Sequence, residues 1–312
     1  MPPPRVFCKA FLALLALIFA QNIARADWQQ TDTTLAWRLG TNVLWEFSFD
    51  TNKGKPFFHP LTTGGGPSLT NLKPADHPWH YGLWFSWKYI NHVNYWEEDR
   101  TTGHAEGTTR WTKPKISLHK DGSADIELHL TYINPSNRVD LTERRGLVVS
   151  APKTDGNYTI EWMAIFRAGD AGAVLDRTPM PNEPDGKVNG GYAGLGLRMT
   201  GQPFEMSVLC TTGAVTHFES DRARPNAPAL ACNFSDGQKS IGGIAIFSYP
   251  EFAGKNPPWY IINSSQMRFA CAAILAPGIR TLAPHEEMGL NYRIAIRPEP
   301  WTTKSLESLS LR

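Results

Sequence analysis

Cysteine is scarce in this chain of 312 residues, with four in all, and Cys8 lies in an N-terminal segment whose pattern predicts removal. The other three, Cys210, Cys232 and Cys271, cannot supply a disulfide framework for a chain of this size. An exported compartment leaves one bridge open, with at least one thiol unpaired in a single chain. Long apolar runs are missing too. The longest, from Ala10 to Ala20, has 11 residues, against the roughly 20 needed to span a bilayer as a helix, so no integral membrane segment is expected. There is no basic cluster of the kind that nucleic acid requires, so nucleic acid is excluded as a partner. The sequence also has no internal repeat, no His-Glu-x-x-His and no Gly-x-Ser-x-Gly. Gly64-Gly65-Gly66 lacks the Lys-Ser/Thr of a phosphate loop and reads as a turn.

What is present at the N-terminus looks like a targeting signal. Arg5 and Lys9 precede the apolar run, and Ala24-Arg25-Ala26 places small residues where a signal peptidase needs them. The expectation is a signal peptide over 1–26 and a secreted or periplasmic chain. Removing Arg5, Lys9 and Arg25 takes three of 31 basic residues and none of 29 acidic ones, leaving 28 against 29. The exported chain is then close to neutral. At 41% hydrophobic and 19% charged, it is too apolar to be disordered.

Helical periodicity is almost absent, while period-two alternation recurs. Ile126, Leu128, Leu130 and Tyr132 share one strand face. Tyr158, Ile160, Trp162, Ala164 and Phe166 share another, and Met288, Leu290, Tyr292, Ile294 and Ile296 a third. More than ten short strands punctuated by Gly and Pro turns predict an all-β fold, a large antiparallel two-sheet β-sandwich forming one domain over 27–312. Residues 179–191, rich in turn formers, predict a surface loop of the sort that borders a site. Arg144 and Arg145 beside Glu143 read as a solvated strand.

The chemistry concentrates in DHPWHYGLWFSW, residues 76–87. Five of the eleven tryptophans, Trp79, Trp84, Trp87, Trp96 and Trp111, fall within 33 residues here. From Tyr81 the pattern predicts a strand with Tyr81, Leu83, Phe85 and Trp87 facing the core and His80, Gly82, Trp84 and Ser86 on the other side. Gly82, lacking a side chain, would let a ligand approach the backbone. Indole faces stack on the C–H patches of sugar rings while imidazole and carboxylate bind hydroxyls. His77 and His80 straddle a Pro and could converge as acid/base groups or, with a third ligand from Asp76, His59, His92, Glu98 or His104, hold a divalent metal. Glu161 and Arg198 point away from the inferred core. If their strands join the sheet carrying His80, one concave surface gathers His80, Trp84, Glu161, Arg198 and Arg293, with Arg198 as a substrate clamp. Trp79, Tyr81, Trp84, Trp87, His59 and Arg293 complete the substrate-binding set. The competing accounts are an aromatic strand packed between sheets and strand faces that are merely wet.

DHPWHYGLWFSW followed by Val93-Asn94-Tyr95-Trp96 resembles the hallmark of a family of secreted bacterial proteins labelled "methane oxygenase PmoA", a domain of unknown function. Thr142-Glu143-Arg144-Arg145, Gly190-Gly191-Tyr192-Ala193-Gly194-Leu195-Gly196-Leu197-Arg198, Gly243-Ile244-Ala245-Ile246-Phe247 and Pro257-Pro258-Trp259-Tyr260 extend the resemblance over nearly the whole exported chain. It implies a sandwich of the galactose-mutarotase type and a setting among exported carbohydrate-degradation proteins. Two departures stand out: Trp79 and Tyr260 occupy positions where the family often has His, so a metal cluster needing both would be incomplete. The oxygenase label conflicts with physics, because a membrane copper monooxygenase needs several spanning helices.

The expected function is therefore an exported carbohydrate-active enzyme acting on a carbohydrate or glycoside as lyase, epimerase or hydrolase. Its catalytic set is His77, His80, Glu161 and Arg198; no cofactor is assigned, and a divalent metal stays open. The alternatives are a non-catalytic carbohydrate-binding protein and a metal-dependent enzyme using His77 and His80.

Overall fold

The computed structural model describes residues 26–249, 254 and 256–310. The signal-peptide expectation therefore lies almost wholly outside the described residues. Two large antiparallel sheets face each other. One has nine strands in the order Ala26–Gln30, Thr34–Leu39, Asn42–Ser48, Phe57–Leu61, Leu83–Ser86, Gly194–Arg198, Arg268–Ala272, Trp259–Asn263 and Arg222–Ala223. The other has ten, centred on Ser240–Ser248, Glu287–Arg297, Tyr158–Ala168, Val139–Val149 and Ala124–Ile133. A small four-stranded sheet, including Tyr89–Ile90 and Ala173–Asp176, closes one side. The fold is the expected large antiparallel β-sandwich.

In the ten-stranded sheet the alternation read from sequence holds residue by residue. Ile126, Leu128, Leu130, Ile160, Trp162, Phe166, Leu290 and Ile294 are buried between the sheets, while Glu127, His129, Met163 and Ile165 face solvent. One polar group departs from the sequence reading. Glu143 and Arg145 are not solvated: they sit on the inward face, each 1% exposed, and only Arg144 points out. Arg145 Nη2 donates to Glu143 Oε2 at 2.8 Å, the Tyr132 hydroxyl donates to the same oxygen at 2.6 Å, and the guanidinium lies 4.7 Å from the Trp162 ring centroid. These bonds satisfy the carboxylate and two of the three guanidinium nitrogens, while Nη1 of Arg145 is buried without a partner among the described residues.

The nine-stranded sheet is different, because its central strands are buried on both faces. Leu83, Phe85, Leu195, Leu197, Ile261 and Ala270 face the other sheet. Phe57, Trp84, Cys271, Tyr260, Ile262 and Phe269 form a second cluster on the outer face, roofed by connecting segments. Cys210, Cys232 and Cys271 are all buried and free, so the open bridge does not form; burial pushes the Cys232 thiol up to about 12. The sequence reading contained no helix, yet Thr303–Ser310 forms one, with Leu306 buried against Trp301 and Phe247. Its entry is capped by reciprocal bonds, Ser305 N to Thr302 Oγ1 at 3.2 Å and Thr302 N to Ser305 Oγ at 3.0 Å.

Candidate active site

Strand register places the site. Across the outer face of the nine-stranded sheet one row of directly opposed residues runs Phe57, Trp84, Gly196, Cys271, Tyr260. The next runs Arg198, Phe269, Ile262, Arg222. Opposed residues share a face, so these rows form an aromatic floor with an arginine at each end of the second. Three strand spacings separate those arginines, about 14 Å between Cα atoms. Gly196 is required by the floor: a Cβ there would lie 3.1 Å from Trp84 Cζ2, so its absence lets the indole lie flat across the strand.

The segment 76–80 folds over this floor as a turn, with His77 N bonded to Pro74 O at 3.0 Å and His80 N to His77 O at 3.0 Å. The turn stacks His77 on His80, ring centroids 4.7 Å apart at 27°. His80 in turn stacks on Phe269 at 5.0 Å and lies 4.9 Å from Trp84. It is 3% exposed and its Nδ1 makes no hydrogen bond. Burial, reinforced by the charges of His77, Arg198 and Lys55, holds its pKa well below the usual histidine range, so His80 is neutral. His77, by contrast, is half-buried, and its Nδ1 is 2.9 Å from Asp76 Oδ2. Asp76 also receives Arg198 Nη2 at 2.9 Å and 2.7 Å. Partial burial raises the Asp76 pKa, but these hydrogen bonds outweigh it and keep the carboxyl below the usual carboxylate range. With the ionised carboxylate engaging Nδ1, Nε2 of His77 is the ring nitrogen left for a ligand.

A hollow of about 250 Å³ opens beside these rings, lined by His77, Trp79, His80, Trp96, Glu97, Val188, Asn189, Tyr192, Arg222, Tyr260, Ile262, Met267 and Phe269. Trp79 forms one wall. Its ring has Arg100 at 5.2 Å, and that arginine donates to Ala75 O at 2.9 Å and Asp76 O at 2.6 Å. Opposite stand Trp96 and Tyr192, ring centroids 5.2 Å apart, with Tyr192 stacked at 6.0 Å on Tyr260. Glu97 is bonded by Lys88, by the Tyr192 hydroxyl and by Asn94 Nδ2 at 2.8 Å. Burial works against its charge, but Lys88 and these donors hold its pKa below the usual range. Arg222 Nε donates to the Tyr260 hydroxyl at 3.1 Å. Trp79 and Glu97 also border an open groove of about 590 Å³ on their far side.

His77, His80 and Trp79 thus come together at one hollow, but other expected members do not. Arg198 is 2% exposed and engaged with Asp76; it braces the histidine turn and is not placed to clamp a substrate. Glu161 and Arg293 pair with each other at 2.6 Å on the outer face of the opposite sheet, because Trp162 and Ile294 beside them point inward. Their strands do not join the sheet carrying His80. Trp84 is wholly buried beneath His80. Trp87 is wholly buried between the sheets, 5.0 Å from Phe166. Neither presents an indole face to a ligand.

Tyr81 was expected on the core side with Leu83, Phe85 and Trp87. It joins the outer cluster, because Gly82 at φ +69° reverses the alternation. It turns away from the hollow and donates to Glu98 at 2.7 Å, beside the Lys55 ammonium at 2.9 Å from the same oxygen. Gly82 opens no window either: a Cβ there would meet the Phe58 carbonyl oxygen at 2.6 Å. The neighbouring strand fills the space intended for ligand. His59 bonds Thr70 Oγ1 at 2.8 Å and lies off the hollow. Among the described residues no three His, Cys, Asp or Glu side chains converge as a metal site would require.

Several lining residues were not singled out from sequence: Glu97, Asn189, Arg222, Ile262, Met267 and Phe269. Asn189 and Val188 come from the loop at 179–191, whose position at a site's rim its turn-rich composition did suggest. The strands Trp259–Asn263 and Arg268–Ala272 gave no face to choose, being apolar on both sides.

The fold and site define an antiparallel β-sandwich with an aromatic, histidine-bearing hollow on the outer face of one sheet. The chain belongs to the family of unknown function DUF6807, whose profile matches residues 34–310. No curated protein gives a significant sequence match. Among solved structures it is similar to the galactosidase domain of the α-galactosidase–sucrose kinase AgaSK, with 10% identity and a TM-score of 0.44, covering 88% of this chain and 41% of that one. The chain thus spans less than half the length of that structure. A protein assigned as an aldose 1-epimerase from Klebsiella pneumoniae subsp. pneumoniae has 7% identity and a TM-score of 0.43, over 89% of this chain and 82% of that one. A galactose mutarotase related enzyme from Lactobacillus acidophilus has 6% identity and a TM-score of 0.35, over 88% and 97%. These likenesses are remote, and the functional reading rests on the side chains of the hollow.

Proposed function

We propose that this chain is an exported carbohydrate-active enzyme in which the hollow seats a single sugar ring and His77, oriented by Asp76, moves a proton to or from it. The observation that carries this reading is the Asp76–His77 bond of 2.9 Å, which fixes a half-buried imidazole that lines an aromatic hollow and leaves its Nε2 unengaged by Asp76. Trp79 and Tyr260 offer apolar faces for ring C–H groups, and Asn189, Glu97 and Tyr192 offer polar atoms for hydroxyls. His80, neutral and fixed, is the polar floor on which His77 rests.

Within this class, proton transfer at carbon, as in an epimerase or lyase, fits better than hydrolysis. A glycosidase of the usual kind needs two carboxylates flanking the bond, about 5 to 10 Å apart. The described lining has one, Glu97, already committed to Lys88 and Tyr192.

The test is to incubate the purified protein with panels of hexoses, uronic acids and their glycosides in D2O, following C–H exchange and unsaturated or epimeric products by proton NMR. Exchange or turnover lost in His77→Gln, with sugar binding retained, supports the enzyme. Sugar binding without exchange or turnover would make the chain a carbohydrate-binding protein and overturn the catalytic reading. No binding to any sugar overturns both.

A further inference from the structure

We propose that the sugar carries a carboxylate and that Arg222 is the residue that binds it; this rests on the sugar reading of the same hollow. The argument begins with charge. Each carboxylate at the hollow is already matched, Asp76 by Arg198 at 2.7 Å and Glu97 by Lys88. Arg222 lines the hollow and forms no ion pair among the described residues. Among the described residues its partners are neutral: Nε donates to the Tyr260 hydroxyl at 3.1 Å and Nη1 to the Ser220 carbonyl.

Those two bonds fix the plane of the guanidinium and leave further N–H donors uncommitted. A planar fork with spare donors is the geometry that carboxylates match with paired hydrogen bonds. Positive charge is reinforced by Arg224, whose guanidinium lies 4.8 Å from the Tyr260 ring centroid and bonds only the carbonyls of Val188, at 2.8 Å, and Gly190, at 3.0 Å. Two arginines therefore flank Tyr260 with no carboxylate in ion-pair contact among the described residues, Glu219 acting on Arg224 only at longer range, so this end of the hollow carries an excess of positive charge that an anionic ligand would match.

Position adds direction. Arg222 and the Arg198 that braces the Asp76–His77 unit close opposite ends of one row of the floor, with Phe269 and Ile262 between them. A sugar acid anchored at Arg222 lies over Phe269 and Ile262 with its ring reaching toward His77. The carboxylate end and the proton-transfer end of the hollow are thus distinct.

The experiment is calorimetric titration of the full exported chain with D-glucuronate and D-galacturonate, their neutral hexoses, and hexose phosphates and sulfates, repeated with Arg222→Gln and Arg222→Lys. Thermal melting checks that each variant is folded. A uronate should bind roughly ten- to a hundredfold more tightly than its neutral hexose. That margin should vanish in Arg222→Gln and shrink in Arg222→Lys, which keeps the charge but not the fork. Neutral hexose binding equal to uronate binding, or a margin unmoved in folded Arg222→Gln, overturns the inference while leaving the sugar reading standing. A preference for phosphate or sulfate esters over uronates overturns it in favour of another anion. Failure of every sugar to bind overturns the sugar reading itself.

Discussion

The imidazoles of His77 and His80 lie face to face, 4.7 Å between centroids and 27° between planes, yet they differ in solvent access and hydrogen bonding. His77 is half-buried and bonded to an ionised carboxylate; His80 is sealed in and has no partner at Nδ1. His77 is therefore the ring that can exchange protons with a ligand, while His80 stays neutral in its buried setting. His77→Gln should therefore lower turnover at least about a hundredfold, the usual contribution of a positioned acid/base group, with little change in sugar affinity. An equal loss of affinity and turnover would place His77 in binding alone.

Trp79 is the indole of the 76–87 segment that lines the hollow. Trp79→Ala should weaken sugar binding by roughly ten- to a hundredfold, as removal of an aromatic stacking wall does, whereas Trp87→Phe should leave affinity unchanged and lower only thermal stability. Titration calorimetry and melting curves separate the two effects. Affinity unaffected in Trp79→Ala would remove the stacking role.

Acid should destabilise the fold over a defined window. Burial lowers the pKa of His59 to about 4 from an ordinary 6.5, and burial also lowers that of His80. As pH falls below 6.5 the unfolded chain takes up protons that the folded chain does not, so stability declines, by about 1.4 kcal/mol per pH unit for each such group. The His59 contribution ends near pH 4, where the folded state also protonates. Urea midpoints measured between pH 7 and 4 should fall, and His59→Gln should flatten the decline. A pH-independent midpoint would contradict the burial of both rings.

The ion pair of Glu143 and Arg145 gives a further test. Arg145→Met leaves a carboxylate buried between the sheets and should cost about 3–5 kcal/mol, while the double replacement Glu143→Leu with Arg145→Met should recover most of that loss. Denaturant unfolding of the three proteins measures it. If the single variant is as stable as the parent, the pair is solvated and not inside the core.

Gly82→Ala should destabilise by about 2 kcal/mol or more, since φ is +69° and the new methyl would meet the Phe58 carbonyl oxygen at 2.6 Å. Unchanged melting would mean that the Phe57–Leu61 strand moves aside freely.

The sandwich was legible because one of its sheets keeps a wet outer face: along Ala124–Ile133 and Tyr158–Ala168 every second residue is apolar and the period declares itself. The other sheet hides its register. In Trp259–Asn263 and Arg268–Ala272 both faces are covered, so alternation gives no inside or outside, and Phe269 and Ile262 could not be assigned to the hollow. The helix Thr303–Ser310 escaped notice because eight residues make barely two turns. His77, Trp79 and His80 were readable because a histidine pair around a Pro-containing turn, set among tryptophans, is poorly explained by packing alone. Glu161 and Arg198 resemble each other in sequence, polar groups on apolar strands; only strand order assigns them to opposite sheets. Glu143 and Arg145 misled for a related reason, since the pattern treats charge as a sign of solvent and cannot see a partner two residues away on the same face.

The floor of the hollow and the principal core share backbone but not side chains, for they occupy opposite sides of the same strands. Specificity can consequently be rewritten in the overlying turns at 76–80 and 188–192 without disturbing the scaffold beneath them. A lineage that kept the sandwich and exchanged those turns could pass from one ligand to another while its folding energetics stayed nearly constant.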